Sequence, residues 1–501
     1  MSYDSGVKRA RVVVDSHLRL GEDFSVPFHE LCMEVMTLDN EKHYKARAAN
    51  RWDWQNIPKT ISLYSIEDDH LVIPRGFALK LKQWLREDWD TRVRWIDRTV
   101  WEEGPHFGAE EFEFRNHQLD AAEAFWKHRQ GIYKSPTGSG KSGAVAGFLW
   151  LHHPKRAIVM VDRINLVDQW IADFKKLCGD KLNIGAIGSG QWSEGQVTIA
   201  TVQTLHKRRE HLKKEGWFNQ FSAMFLDESH HATAQMYREL VSLFPARIRI
   251  GMSATPDQTG DFAIALNVLG PVFHEDTYDE IREAGFILTP KVKVIHTPYR
   301  FNYWGDHTVK ANEECDIPNC PKIGTPHSHK NNYGKLRADI VQDLERNRLI
   351  ASTIMEWHGK HQLVVSSETK HLDEMISATV DQGLAMEDCF KLTGNDARGR
   401  RAEIRKMFVE APQGVLFSTV AGEALNIPEI DCAHLAFPTK NAKATEQKLG
   451  RAVRIHEGKP GATIIDYADT LVRVLAKQFK SRRWKCYEPL GLEVEILDFS
   501  N

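Results

Sequence analysis

Apolar runs of strand length recur along most of this chain, and between them lie polar-and-apolar stretches long enough to form helices. From about residue 111 to 290 the strand-like runs fall at 157–161, 197–200, 224–226 and 249–252. A second series begins near residue 335, with runs at 362–366, 389–392, 414–418, 434–436 and 462–466. Alternation of this kind predicts parallel sheets covered by helices, an α/β fold with two lobes of similar size. The first 110 residues lack the rhythm and predict a small α+β domain. There Phe77, Leu81, Trp84 and Leu85 share one face of a predicted helix, the spacing of a stripe turned toward a core. The predicted organisation is an accessory domain at 1–110, a first lobe at 111–297, an insertion at 298–334, a second lobe at 335–475 and a basic tail at 476–501.

Charge changes this picture only locally. The 501 residues carry 66 basic and 68 acidic side chains, a net charge of −2, so any contact with nucleic acid must use patches. Two patches stand out. Lys42, Lys45, Arg47, Arg51 and Lys59 interleave with Tyr44, Trp52 and Trp54, which suits phosphate contact with base stacking and equally suits a charged surface over a small core. Lys477, Lys480, Arg482, Arg483 and Lys485 surround Phe479 and Trp484, giving either a grip on a backbone or a solvated helix face. No apolar stretch approaches the roughly 18 residues that span a bilayer, and the polar first residues are unlike a secretory signal. The expected location is the cytoplasm, that of the host if a phage encodes the chain. Seven scattered cysteines fit reduced thiols.

The strongest chemical signal lies at 131–142, where a short strand runs into Ser135, Pro136, Thr137, Gly138, Ser139, Gly140, Lys141 and Ser142. Two glycines let backbone N–H groups converge on an anion, and the helix that follows adds its positive end. Lys141 would reach the β- and γ-phosphates of ATP, and the Ser142 hydroxyl would take a place on Mg²⁺. The usual pattern opens with Gly where this chain has Ser135. Downstream, the apolar run 221–226 ends abruptly in Asp227 and Glu228. Ligands of a parallel sheet sit at the carboxyl ends of its strands, so both carboxylates should emerge beside the phosphate cradle. Asp227 would hold Mg²⁺; Glu228 would orient and deprotonate the attacking water.

Five further segments stand in order with these two, and the set resembles the motor of superfamily 2 DExH-type helicases, which implies two RecA-like lobes. The resemblance covers roughly residues 111–475. It implies adenine recognition by Gln118, backbone grip on nucleic acid by Arg163 in motif Ia and Thr204 in motif Ib, and coupling roles for His230, for Ser253 and Thr255 in motif III, and for Gln447. Asp162 and Arg163 replace the usual Pro-Thr of motif Ia. In motif V, Thr419 and Glu423 are implied contacts, while Ala424 and Asn426 stand where Gly and Asp are familiar. Motif VI matches in full over 447–454 and implies a transition-state guanidinium, Arg454 first and Arg451 second, supplied by the second lobe to the γ-phosphate. Within the superfamily, Asp227 to His230, Arg346 to Arg348, the 464–469 segment and the 73–77 segment look most like phage UvsW-type recombination helicases and their XPB-like relatives.

That resemblance implies an ATP-dependent helicase or translocase acting on single-stranded, forked, branched or duplex DNA in recombination, repair or replication restart. An RNA helicase stays open, because such motifs grip backbone and do not distinguish the sugar. A strand-annealing or junction-binding protein with ATP as a switch is a third reading. Cys315, Cys320, His327 and His329 cluster in the insertion; they could close a tetrahedral Zn²⁺ site, or belong to a solvated insert. Metal analysis of dialysed protein decides between these two.

Overall fold

The computed structural model describes residues 9–87, 92–106, 113–136, 138–229, 234–254, 262–285, 290–301, 307–309, 327–329, 333–357, 361–419, 427, 429–438, 463–482, 487 and 492–497. The chain divides into two compact units, Met1–Thr277 and Tyr278–Asn501.

The first unit holds two main sheets and a two-stranded antiparallel one, Thr37–Asp39 with Thr60–Ser62. The N-terminal one has five strands in the order Ser65–Glu67, His70–Pro74, His17–Leu20, Arg9–Val14 and Arg92–Asp97, antiparallel except for the last pair. The helices Val26–Val35 and Ala78–Glu87 contribute Phe28, Cys32, Leu81 and Leu85 to its core, so the apolar stripe expected at 77–85 is indeed a packing face. The second sheet has eight strands in the order Gln191–Trp192, Ile184–Gly188, Val197–Thr201, Ala157–Val161, Ala223–Leu226, Ile248–Ser253, Gln130–Lys134 and Val272–Glu275. All its pairings are parallel except that of the two-residue edge strand. Its central strands are buried along their whole length, which explains their unbroken apolar sequences, and helices Asn116–His128, Lys141–His152 and Ile164–Cys178 supply Phe125, Phe148, Trp170 and Phe174 to one covering layer.

Two buried arginines bolt these sheets together. Arg75 donates from Nε to Gln130 Oε1 at 2.7 Å and from Nη1 to the Asp15 carbonyl at 3.0 Å, while Gln130 returns a 2.8 Å bond to the Arg75 carbonyl. Arg249 donates to the Ser16 carbonyl at 2.6 Å and to the Val268 carbonyl at 3.2 Å. Burial pulls both guanidiniums below their ordinary basicity, that of Arg249 to about 10. Beside them Gly76 lies so close to helix Phe262–Leu269 that an added Cβ would stand 2.4 Å from the Asn267 carbonyl oxygen.

The second unit holds a seven-stranded, wholly parallel sheet in the order Cys389–Leu392, Gly414–Ser418, His361–Val365, Cys432–Leu435, Thr463–Ala468, Lys291–His296 and Val494–Leu497. Two boundaries differ from the sequence reading. Lys291–His296, assigned there to the first lobe, pairs with Thr463–Ala468 because its alternating apolar residues fill the core of the second sheet. Val494–Leu497, assigned to the tail, pairs with Lys291–His296 as an edge strand. The architecture is α/β with two RecA-like parallel sheets and a small N-terminal α+β domain, as expected. Among the described residues no helix is long and apolar enough to cross a membrane.

Candidate nucleotide site

The strand Gln130–Lys134 lies next to the edge strand of the first unit's large sheet, and at its end the chain turns through residues 135–140 into helix Lys141–His152. Gly138 and Gly140 adopt φ of +89° and +91°, which only glycine takes without strain. Crowding also requires Gly140, since a Cβ would sit 2.5 Å from Gln118 Nε2. The Lys141 ammonium is 3.3 Å from the Ser135 carbonyl oxygen and 3.5 Å from that of Pro136, so the side chain folds back over the loop. Thr137 lies outside the described residues. This is a cradle with a free helix N-terminus and a cation across it, and its donors fit a polyphosphate.

Asp227 and Glu228 follow the strand Ala223–Leu226, two strands along the same sheet with only Ile248–Ser253 between, as the strand-end rule requires. Asp227 is buried. Its Oδ2 accepts from the indole N–H of Trp170 at 2.9 Å, and its Oδ1 accepts from the Glu228 backbone N–H at 3.0 Å. Burial and the neighbouring Glu228 charge push its carboxyl up, to about 6, while the Lys141 ammonium works the other way. A buried, incompletely neutralised carboxylate of this kind fits a divalent cation. Glu228 has φ of +50°, an uncommon backbone for a side chain with a Cβ, and such strain collects at working sites.

Other expected residues meet here too. Ser253, at the end of the adjacent strand, accepts from the Ser135 N–H at 3.1 Å, which ties motif III to the phosphate loop through backbone. Gln118 is buried against the same loop, accepting from the Arg115 N–H at 3.1 Å and donating to the Gly140 carbonyl at 3.2 Å. Its amide thus braces the cradle. The Ser142 hydroxyl donates to Asp173 Oδ2 at 3.0 Å, which leaves its oxygen lone pairs for a cation. Arg163 immediately precedes helix Ile164–Cys178 and Thr204 lies in the first turn of helix Val202–Lys214: Asp162 accepts from Arg163, from Gln203 at 2.9 Å and from Tyr237 at 2.6 Å, and Thr204 accepts from Thr201 at 2.8 Å. Thr419 belongs to the second unit, where it accepts from the Gly394 N–H at 3.1 Å. His230, Thr255, Glu423, Asn426, Gln447, Arg451, Arg454, Cys315 and Cys320 lie outside the described residues. His327 and His329 belong to a strand that pairs antiparallel with His307–Val309.

Three participants escaped the sequence reading. Trp170, on helix Ile164–Cys178, orients Asp227 through its indole N–H. Asp173 accepts a hydrogen bond from the Ser142 hydroxyl. Asp276 directly follows the strand Val272–Glu275 and accepts from the hydroxyls of Tyr133 and Ser135. Asp276 too is a carboxylate that follows a strand, but that strand, Val-Phe-His-Glu, has two polar residues and no apolar run to single it out.

A family model described as the type III restriction enzyme res subunit matches residues 111–258. The chain is 24% identical to the DNA 3'-5' translocase XPB2 of Sulfurisphaera tokodaii, over 69% of this chain and 79% of that protein. It is also 24% identical to the ATP-dependent DNA helicase uvsW of Enterobacteria phage T4, over 71% of this chain and 68% of that one. Among solved structures it shares the fold of the ATP-dependent type ISP restriction-modification enzyme LlaBIII bound to DNA, with a TM-score of 0.54 and 13% identity, over 84% of this chain and 34% of that one.

Proposed function

We propose that this chain, a superfamily 2 helicase resembling UvsW and XPB, couples ATP hydrolysis to movement along DNA, and that its substrates are branched or duplex DNA in recombination, repair or replication restart. The observation that supports the motor reading best is the convergence of Lys141, Asp227, Glu228 and Ser253 at one sheet edge around a glycine cradle. Lys141 would neutralise the β- and γ-phosphates. Asp227 and Ser142 would hold Mg²⁺, which when bound adds positive charge against the phosphate oxygens. Glu228 would orient the attacking water and take its proton, and Arg454, with Arg451 second, would neutralise the charge that spreads over the γ-phosphate. Arg163, Thr204 and Thr419 would grip the strand's backbone. Because Ser253 and the cradle share a hydrogen bond, a change at the γ-phosphate can reach motif III without a further relay.

Lys141→Ala and Glu228→Gln should each lower DNA-stimulated ATPase by about 10²-fold or more while circular dichroism stays that of the wild type. Near wild-type turnover in either variant would mean the site is wrongly assigned. The same assay with matched single-stranded, forked and four-way DNA and their RNA counterparts tests the substrate. Stronger stimulation by RNA would replace DNA with RNA in the reading.

A further inference from the structure

The phosphate loop of this chain is tied down by a carboxylate that lies outside it in sequence. Asp276 is buried, and its backbone N–H donates to the Lys134 carbonyl at 2.9 Å, which fastens it to the strand that feeds the loop. Its Oδ2 accepts from Tyr133 and, at 2.8 Å, from the Ser135 hydroxyl. Its Oδ1 lies 3.4 Å from His274 Nε2. Ser135 has one hydroxyl proton and spends it on Asp276, so the 2.5 Å bond between the Ser135 and Ser139 hydroxyls must be donated by Ser139. Both serines are fully buried. The Ser139 carbonyl in turn lies 2.9 Å from His117 Nε2. Burial works to raise the Asp276 carboxyl; the bonds from His274, Tyr133 and Ser135 outweigh it and hold the group below its ordinary value, so it is a carboxylate in the working pH range.

We infer that Asp276 is a positioning residue for nucleotide binding, which fixes the shape of the phosphate loop through the relay Ser139 to Ser135 to Asp276. A glycine at position 135 could not join this relay, so the departure of Ser135 from the usual pattern supplies the link. A loop with Gly138 and Gly140 has many accessible backbone states, and the order it needs to aim its N–H groups must come either from the protein beforehand or from the nucleotide on binding. A buried anion so near a phosphate cradle also opposes polyphosphate by charge alone. Its return is the fixed loop.

The inference rests on the nucleotide-site reading above, and one set of measurements separates the two: KM and kcat for ATP, the affinity for fluorescent mant-ADP with Mg²⁺, and the melting temperature. Ser135→Ala and Asp276→Ala should each raise the KM for ATP and weaken mant-ADP about tenfold, the size expected when the order of about one backbone residue is supplied at binding. The double variant should be no worse than the poorer single one, because both cut the same relay. Asp276→Asn, which keeps one acceptor oxygen, should recover part of the loss. Ser135→Ala removes one hydroxyl and should melt within about 2 °C of the wild type, so a change in KM there cannot come from unfolding. A KM for ATP within twofold of wild type in Ser135→Ala, or losses that multiply in the double variant, would overturn the inference. If that happens while Lys141→Ala still abolishes turnover, the relay alone has failed; if Lys141→Ala keeps turnover, the site reading itself has failed.

Discussion

Asp227 sits where its own ionisation is opposed, and this has a measurable consequence in the metal-free protein. Its folded pKa, about 6, lies above the unfolded value near 3.8, so the folded state is penalised for carrying the charge. Below pH 4 both states are protonated and the penalty vanishes. It grows between about 4 and 6 and is complete above 6. Asp227→Asn, which cannot ionise, should therefore abolish ATPase and yet raise the melting temperature at pH 7.5, on the scale of roughly 2–3 kcal/mol at about 1.4 kcal/mol per pKa unit. Melting curves at pH 7.5 and pH 4 without Mg²⁺ check this: the gain should shrink to nothing at the lower pH, and a variant less stable than wild type at pH 7.5 would contradict it. At this scale the sequence was legible where one local string shapes the backbone, as with the turn from Gly138 to Ser142, or where a strand ends in acid, as at Asp227. It was opaque where partners meet only through folding. Ser135 and Asp276 stand 141 positions apart, and nothing near Ser135 announces the carboxylate it donates to.

Elements are read from periodicity, so short or polar-faced strands are the ones mistaken. The strands Ala157–Val161 and Gly414–Ser418 are buried throughout, with apolar residues at their centres, and were found. Lys291–His296 was placed in the wrong lobe because its partner Thr463–Ala468 lies far along the chain, and Val494–Leu497 was lost in the tail because four residues interrupted by Glu495 make too short a run to stand out. The docking of the 3₁₀ turn Arg75–Phe77 against helix Phe262–Leu269 was equally hidden, yet it sets a strict limit on residue size. Gly76→Ala would place a methyl group 2.4 Å from the Asn267 carbonyl and 2.6 Å from the Gly270 nitrogen, both rigid backbone. The expected cost is about 1–3 kcal/mol, a drop of several degrees in melting temperature. Gly334→Ala is the matched control: nothing lies within 4 Å of its added methyl, it sits in helix Tyr333–Gln342, and it should be neutral or mildly stabilising. Equal melting temperatures for the two variants would show that this packing is softer than its distances imply.

For the whole molecule, the bolt between the N-terminal sheet and the large sheet of the first unit matters more than its size suggests. Arg249 opens the strand that ends at Ser253, and Gln130, the partner of Arg75, opens the strand that ends at the phosphate cradle. The accessory domain thus holds the near ends of two strands whose far ends meet at the candidate nucleotide site. Neither guanidinium has water to turn to, since both are buried beneath the domain that feeds them. Excising residues 1–110 to obtain a minimal motor would leave Arg249 without the Ser16 carbonyl, take Arg75 from Gln130 and uncover the apolar side of helix Phe262–Leu269 in a single cut. Trimmed at that boundary, the remaining piece should come out of expression as aggregate, and the leading domain is better regarded as part of the engine block than as an attachment.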